Sequence, residues 1–186
     1  MTQKAENVLE AYKKTRQTGC GVIAIDGRAA AGKTTLAEEL AEALGAAVVH
    51  MDDFFLPGAL RTPERLARPG GNVHAERFME EVLPHLHQEK AFRYRRFDCH
   101  GMDYSGWREL PAAQVIIVEG AYSQHPAFGG YADLTVFCDI APEEQQRRII
   151  ARNGEERWGA FRDRWIPLEE LYLNAYHIQE NAMLTV

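Results

Sequence analysis

Hydrophobic and polar positions along the chain alternate between two patterns. Short, unbroken apolar runs occur in "GVIAIDG" (21–27), "AAVVHM" (46–51), "QVIIVEG" (114–120) and "LTVFCDI" (134–140), and they are rich in β-branched residues. Runs of this kind predict strands buried on both faces of a sheet. Between them the apolar residues recur every three or four positions, the period of a helix. Lys33 to Leu44 puts Leu36, Ala37, Leu40, Ala41 and Leu44 on one face, with Gly45 as the stop. A leading helix is predicted over 4–17, with Val8, Leu9 and Tyr12 on one side and Gly19 at its end. A helix through Phe78, Val82 and Leu86 is limited by Pro84, and another opened by Pro142 runs through Ile149 and Ile150 to Gly154. An amphipathic helix is predicted over 167–180, with Leu171, Tyr172, Ala175 and Ile178 facing inward, and "AMLTV" at the end reads as a fifth, short strand.

Two stretches break the alternation. Residues 57–73 carry Pro57, Gly58, Pro63, Pro69, Gly70 and Gly71 and read as loop, while 92–110 is aromatic, polar and irregular, suited to a substrate-facing excursion. The whole predicts one α/β domain over 1–186: a five-stranded, mostly parallel sheet with helices on both faces and right-handed crossovers. Within it lie a leading helix (1–19), an excursion (57–110) and a lid region (143–166). In such sheets ligands bind beyond the carboxyl ends of the strands.

Composition narrows the setting. With 186 residues, 46% of them hydrophobic, there is material for one good core. A net charge of −6 with Lys and Arg dispersed gives no basic track for nucleic acid. No apolar run approaches a membrane span, and the N-terminus lacks the apolar stretch of a signal peptide. Cys20, Cys99 and Cys138 are odd in number and widely spaced, which favours free thiols in a reducing compartment. The expectation is a cytoplasmic protein without nucleic-acid or membrane partners, with homo-oligomerisation left open. His85 and His87, two apart on a predicted helix, diverge by about 200° and read as solvent-facing rather than as a metal pair.

Chemistry concentrates at the strand ends. Gly27-Arg28-Ala29-Ala30-Ala31-Gly32-Lys33-Thr34 fits G-x-x-x-x-G-K-[ST] between a predicted strand and a predicted helix. In that pattern the backbone N–H groups, those of Ala29, Ala30 and Ala31 included, cradle phosphate oxygens at a helix N-terminus. Lys33 would reach the β- and γ-phosphates, and the Thr34 hydroxyl would sit on Mg²⁺. "HMDDFF" places Asp52 and Asp53 at the end of the second strand, where a carboxylate can orient an acceptor hydroxyl and take its proton. Glu119, closing "VIIVEG", holds the Walker-B position for the metal. Arg147, Arg148, Arg152, Arg157, Arg162 and Arg164 follow the fourth strand as material for a lid, with Arg148 and Arg152 on one helix face. A GTPase switch is disfavoured: the chain has no Asn-Lys for an N-K-x-D box, and "DYSG" (103–106) follows no apolar strand.

"GRAAAGKTT", "HMDDFF", "VIIVEG" and "RRIIAR", in this order and spacing, resemble the uridine kinase-like branch of P-loop small-molecule kinases, which also includes phosphoribulokinases and bacterial pantothenate kinases. The likeness spans roughly residues 20–180. It implies ATP- and Mg²⁺-dependent transfer of a γ-phosphoryl group to a hydroxyl, with a uridine- or cytidine-like nucleoside as the leading acceptor. Asp52 then matches the catalytic acid and a metal contact, Thr35 an α-phosphate contact, and Arg148 and Arg152 the lid helix. "YRRFDCH" (94–100) resembles the nucleoside-holding segment, which makes Tyr94 and Asp98 substrate candidates alongside Asp53 and, more weakly, Phe97 and His100. His74 stands where nucleoside kinases tend to carry a sugar-binding Asp. The alternative is an ATP-binding regulatory or partner-stimulated module without a small-molecule acceptor.

Overall fold

The computed structural model describes residues 1–15 and 19–186. Helix α1 (Gln3–Thr15) leads into strand β1 (Gly21–Gly27), helix α2 (Lys33–Leu44) and strand β2 (Ala47–His50). The last two residues of the leading helix expected over 4–17 lie outside the described residues. After β2 come a 3₁₀ turn (Met51–Phe54), the short helices α3 (Pro63–Leu66) and α4 (Ala75–Glu81), and strands β3 (Phe92–Asp98) and β4 (Asp103–Leu110). Strands β5 (Val115–Glu119) and β6 (Leu134–Cys138) then precede helices α5 (Pro142–Asn153) and α6 (Glu155–Ala160), a π-helical turn (Phe161–Trp165), α7 (Ile166–Ala175), α8 (Ile178–Asn181) and strand β7 (Leu184–Thr185).

The main sheet has the order β2-β5-β1-β6-β7, and every neighbouring pair is parallel. All five expected strands are in it. Strands β1 and β5 are buried along their whole length, which is why their sequences are continuous apolar runs rather than alternating ones. Successive residues still part to opposite faces. Ile23, Ile25, Val115 and Ile117 pack under α1 and α2 with Val8, Tyr12, Leu36 and Leu40. Val22, Ile116 and Val118 face Phe54, Phe78, Tyr94 and Tyr172 on the other side. The chain leaves β1 toward β2 on one side, and β6 joins β1 on the other, so β1 ends at a crevice between neighbouring connections.

Two expectations are corrected. The 92–110 segment is not irregular: β3 and β4 pair antiparallel, with Tyr94 opposite Arg108 and Phe97 opposite Tyr104. Phe92, Tyr94 and Phe97 turn inward, and a register shift between Arg95 and Phe97 interrupts the alternation that would have marked the strand. The amphipathic helix expected over 167–180 is broken at Tyr176–His177, where His177 takes φ 51°. Its buried side chains are Tyr172, Leu173 and Ile178, while Leu171 is 41% exposed. The two histidines of the H-x-H are also engaged: His85 stacks on Phe92, and His87 meets the Cys20 and Tyr131 carbonyls.

Buried polar groups fasten the pieces around β1. Asp26 is fully buried and accepts hydrogen bonds from the N–H groups of Gly27, Tyr122 and Gln124 and from the Tyr172 hydroxyl at 2.7 Å. It thereby joins β1 to the loop after β5 and to α7. Arg77, 1% exposed, donates to the Arg95 carbonyl at 2.6 Å, to the Asp53 carbonyl and to Glu81, and lies over the rings of Phe54 and Tyr104. That one guanidinium ties the hairpin to α4 and to the turn after β2. Among the described residues, no helix is long and apolar enough to cross a membrane.

Candidate active site

The loop between β1 and α2 is shaped by two glycines. Gly27 has φ 133°, and a Cβ there would come within 2.1 Å of the Cys138 carbonyl oxygen, so a side chain would push the loop off β6. Gly32, at φ 92°, precedes the first residue of α2 and brings no side-chain cap to it. The first-turn N–H groups of Lys33, Thr34 and Thr35 have no carbonyl one turn back to bond, and all three residues line the cavity beyond the loop. Lys33 Nζ donates to the Gly27 and Arg28 carbonyls, both at 2.8 Å, which holds its charge over the loop. Ala29 and Ala30 line the same cavity. Ala31 does not: it packs in the core, and its N–H closes a turn on the Arg28 carbonyl at 3.2 Å.

One N–H of the loop is already engaged by a carboxylate. The Ala29 N–H donates to the Glu169 carboxylate at 2.9 Å, so a side chain of α7 takes the place a phosphate oxygen would have. Burial pushes the Glu169 carboxyl up to about 7, with Lys33 and the Ala29 N–H opposing that rise. The residue before, Arg28, is held from the same helix: Nε donates to Glu170 at 2.8 Å and Nη1 to Asp139 at 2.6 Å. Consecutive glutamates of α7 therefore grip consecutive residues of the loop.

Two carboxylates face it across the sheet edge. Glu119, last residue of β5, accepts from the Thr34 hydroxyl at 3.2 Å and meets His50 Nδ1 at 2.6 Å. Asp52, on the turn after β2, is exposed to the cavity it lines. Its carboxyl is raised above the ordinary aspartate value by burial and then by the charge of Glu119, against the pull of Lys33 and His50. Among the described residues no group of three or more His, Cys, Asp or Glu could hold a metal by itself. Thr34, Glu119 and Asp52 suit a Mg²⁺ that arrives with phosphate oxygens and water in its shell, since that ion is usually held by one or two carboxylates plus substrate phosphates.

The cavity measures about 650 Å³, within the range of small-ligand sites. Arg148, Arg152 and Arg157 line it from α5 and α6. Arg148 donates to Glu144 at 2.6 Å and to the Ala30 carbonyl at 3.3 Å, while Arg152 donates to the neighbouring Asn153. Arg147 is turned away on Glu144 and Arg162 on Asp163. Beyond Asp52 the wall is built by Phe55, Arg61, Asn72, Phe97, Cys99, Met102, Tyr122 and Trp165.

Most of the substrate residues expected from the resemblance are elsewhere. Tyr94 is fully buried against Phe54, and its hydroxyl accepts from the His50 N–H. Asp53 is buried in an ion pair with Arg108 at 2.9 Å. Asp98 folds the hairpin tip, accepting the N–H groups of His100 and Gly101 at 3.0 Å, and His100 is exposed there. His74 bonds the Tyr104 hydroxyl at 3.0 Å, and burial lowers its pKa. None of the five lines the cavity. The segment does reach it through Phe97, Cys99 and Met102. Arg61, Asn72, Tyr122, Trp165 and Glu169 escaped the sequence reading because they come from separate loops and helices with no shared spacing. His50 had a signal, being two residues before Asp52 at the same strand end.

No family profile and no curated protein matches the chain by sequence. The fold is nevertheless shared with solved structures along its whole length. A candidate uridine kinase from Bacillus stearothermophilus superposes with a TM-score of 0.75 at 21% identity, covering 98% of this chain and 96% of that one. A candidate fructose transport system kinase from Silicibacter sp. TM1040 gives 0.72 at 23% identity, covering 100% and 99%. A circularly permuted, P-loop-containing candidate kinase from Saccharomyces cerevisiae gives 0.66 at 12% identity, covering 99% and 98%. The chain thus has the fold of the uridine kinase-like P-loop kinases.

Proposed function

We propose that this protein transfers the γ-phosphoryl group of ATP, with Mg²⁺, to a hydroxyl of a small metabolite. The observation that carries this reading is a single cavity of about 650 Å³ lined by the phosphate loop (Gly32–Thr35), by Asp52 and by an acceptor wall of Phe55, Asn72, Phe97 and Tyr122. A module that only bound or hydrolysed nucleotide would have no use for a base set against such a wall.

Bound Mg·ATP would supply the electrophilic phosphoryl group, and the chain's own residues divide the rest of the work. The N–H groups of Ala29 and of the first turn of α2 hold phosphate oxygens, and Lys33 adds a charge that does not need to be recruited from solvent. Thr34 and Glu119 would hold the metal. Asp52 takes the acceptor's proton, a task its raised pKa suits, because a carboxylate above its ordinary range is a stronger base. Arg148 and Arg152 stand on the lid side, where they neutralise charge and exclude water. The nucleoside expected from the resemblance loses its side-chain support here, since Tyr94, Asp98 and His100 are outside the cavity.

The reading is tested by ADP release with Mg·ATP across a panel of hydroxyl metabolites, wild type against Asp52→Asn. Phosphotransfer predicts at least one compound that accelerates ADP release and forms a phosphate ester, with a loss of about 10²–10⁴-fold in the variant. ATP turnover that no compound accelerates and that Asp52→Asn leaves unchanged would instead favour a regulatory or partner-stimulated module.

A further inference from the structure

Many arginines of this molecule are matched to acids: Arg28 to Asp139 and Glu170, Arg65 to Glu76, Arg77 and Arg95 to Glu81, Arg108 to Asp53, Arg147 and Arg148 to Glu144. Arg61, on the acceptor wall, is different. Its Nε and Nη2 are shielded from solvent and have no hydrogen-bond partner, and among the described residues no carboxylate pairs with it. The guanidinium lies over the Trp165 ring at 5.3 Å, and Arg164 lies over the same ring at 4.8 Å. Burial and the repulsion of Arg164 both lower the pKa of Arg61, and the only groups pulling it back are the weak acids Tyr122 and Cys99. Two guanidiniums thus share one indole without a counter-charge among the described residues, and Arg61 and Trp165 line the cavity that Asp52 also lines. A partly desolvated cation without a partner is unfavourable unless something negative joins it. Asn72, which lines the same cavity, is 3% exposed; its amide meets the Tyr122 side chain, while its Oδ1 is a buried acceptor without a donor. One cavity is thus lined by an unpaired cation and an unpaired acceptor.

Resting on the phosphotransfer reading, we propose that the acceptor is itself an anion: a polyhydroxy compound bearing a carboxylate or phosphate that Arg61 binds, with a further hydroxyl at Asn72 and the reacting hydroxyl at Asp52. Neutral nucleosides and sugars are then poor acceptors. The guanidinium fork suits either anion, because carboxylate and phosphate both accept two parallel N–H bonds. Trp165 serves as the plate that holds the fork in orientation.

The test uses matched triples: glycerol, ribose and glucose, each beside its phosphate ester and its sugar acid, with uridine as the neutral nucleoside. ADP release with Mg·ATP is measured for wild type, Arg61→Met and Arg61→Lys. Within at least one triple, a charged member is expected to exceed its neutral parent by about 30-fold or more in kcat/KM, the usual effect of a desolvated charge pair. Whether the phosphate ester or the sugar acid leads assigns the anion. Arg61→Met should erase that preference through the acceptor KM, leaving the KM for ATP within about twofold, and Arg61→Lys should restore part of it. Neutral parents that perform as well, or a loss in Arg61→Met that is equal for charged and neutral compounds, would overturn the proposal while leaving phosphotransfer intact. If no compound releases ADP, phosphotransfer has failed on this panel, and the subsite is judged by binding alone. Inorganic phosphate is then titrated calorimetrically into protein whose loop is filled with Mg and a non-hydrolysable ATP analogue. Heat lost in Arg61→Met supports the anion site; equal heat, or none in either protein, overturns it. An unchanged melting temperature in Arg61→Met, which breaks no hydrogen bond of this structure, excludes misfolding as the cause.

Discussion

On the phosphate-loop wall of the cavity, the groups that meet a ligand are backbone amides and the first turn of a helix, fixed by two glycines and by strands buried on both faces. Elsewhere around the cavity they are the ends of side chains: Arg61 from a loop, Asn72 before α4, Phe97, Cys99 and Met102 from the hairpin, Tyr122 after β5 and Trp165 from the π-helical turn. The first wall depends on φ angles and on the direction of α2, so the identity of most of its side chains matters little. Three alanines in a row serve where polar residues would do as well, even though Ala30 sits at φ 59°, a left-handed angle that disfavours a Cβ. The second wall depends on which atoms are present, and each substitution there changes what fits. A phosphate can therefore be held the same way in many proteins, while the acceptor is chosen by residues with no counterpart in a shared motif.

The contrast can be broken most strongly at Arg77, which holds the hairpin and touches nothing of the phosphate loop. Arg77→Met leaves the Arg95 and Asp53 carbonyls and Glu81 without their buried partner, a loss of about 3–5 kcal/mol. At a few degrees per kcal/mol for a chain of this size, a fall in melting temperature of roughly 10 °C is expected by calorimetry. Acceptor KM should rise in the surviving folded protein while nucleotide affinity holds. Next in size is Lys33→Met, which strikes the other wall. Turnover should drop about 10²–10³-fold, the usual loss when one charge-stabilising donor is removed, with acceptor binding unaffected.

A pH profile sharpens the same division. Because the Asp52 carboxyl is raised above its usual range, kcat/KM for the acceptor should decline on the acid side through a pKa above 3.8, as protonation removes the base. Asp52→Asn should abolish that limb and leave nucleotide binding flat across it. The smallest effect is expected at Glu169. Its carboxylate accepts the Ala29 N–H, so Glu169→Gln should tighten nucleotide binding about three- to tenfold by removing a competing negative charge. Glu169 also makes a stability prediction. Its folded pKa of about 7 lies above the usual 4.5, so the folded form holds the extra proton between those values. The wild type should therefore lose stability relative to Glu169→Gln as pH rises from about 4.5 through 7. Melting curves of both proteins at pH 5 and pH 8 measure it.

How far the molecule could be read in advance follows the same line between the walls. All five strands of the main sheet were legible, because burial on both faces demands unbroken apolar runs, and Gly45 marked the end of α2 by its left-handed angle. The phosphate loop was legible because its glycines, lysine and threonine are each required by geometry at fixed spacing. The hairpin was not: the doublet Arg95-Arg96 and the shift before Phe97 scramble a period of two. Tyr94 and Asp53 carry the residue types of a substrate site, yet one is core and the other pairs with Arg108. Only packing separates those outcomes. The break at His177 was hidden for a similar reason, since the apolar positions on either side of it fit one helical face well enough.

The central claim is that the two walls act separately, the loop holding nucleotide and Asp52 serving the acceptor. Parallel titration of Mg·ATP and assay of acceptor-dependent ADP release on Asp52→Asn tests it most directly. Nucleotide affinity within about twofold of wild type, with turnover down by about 100-fold or more, is the predicted result. Affinity and turnover falling together, or turnover unchanged, would contradict it.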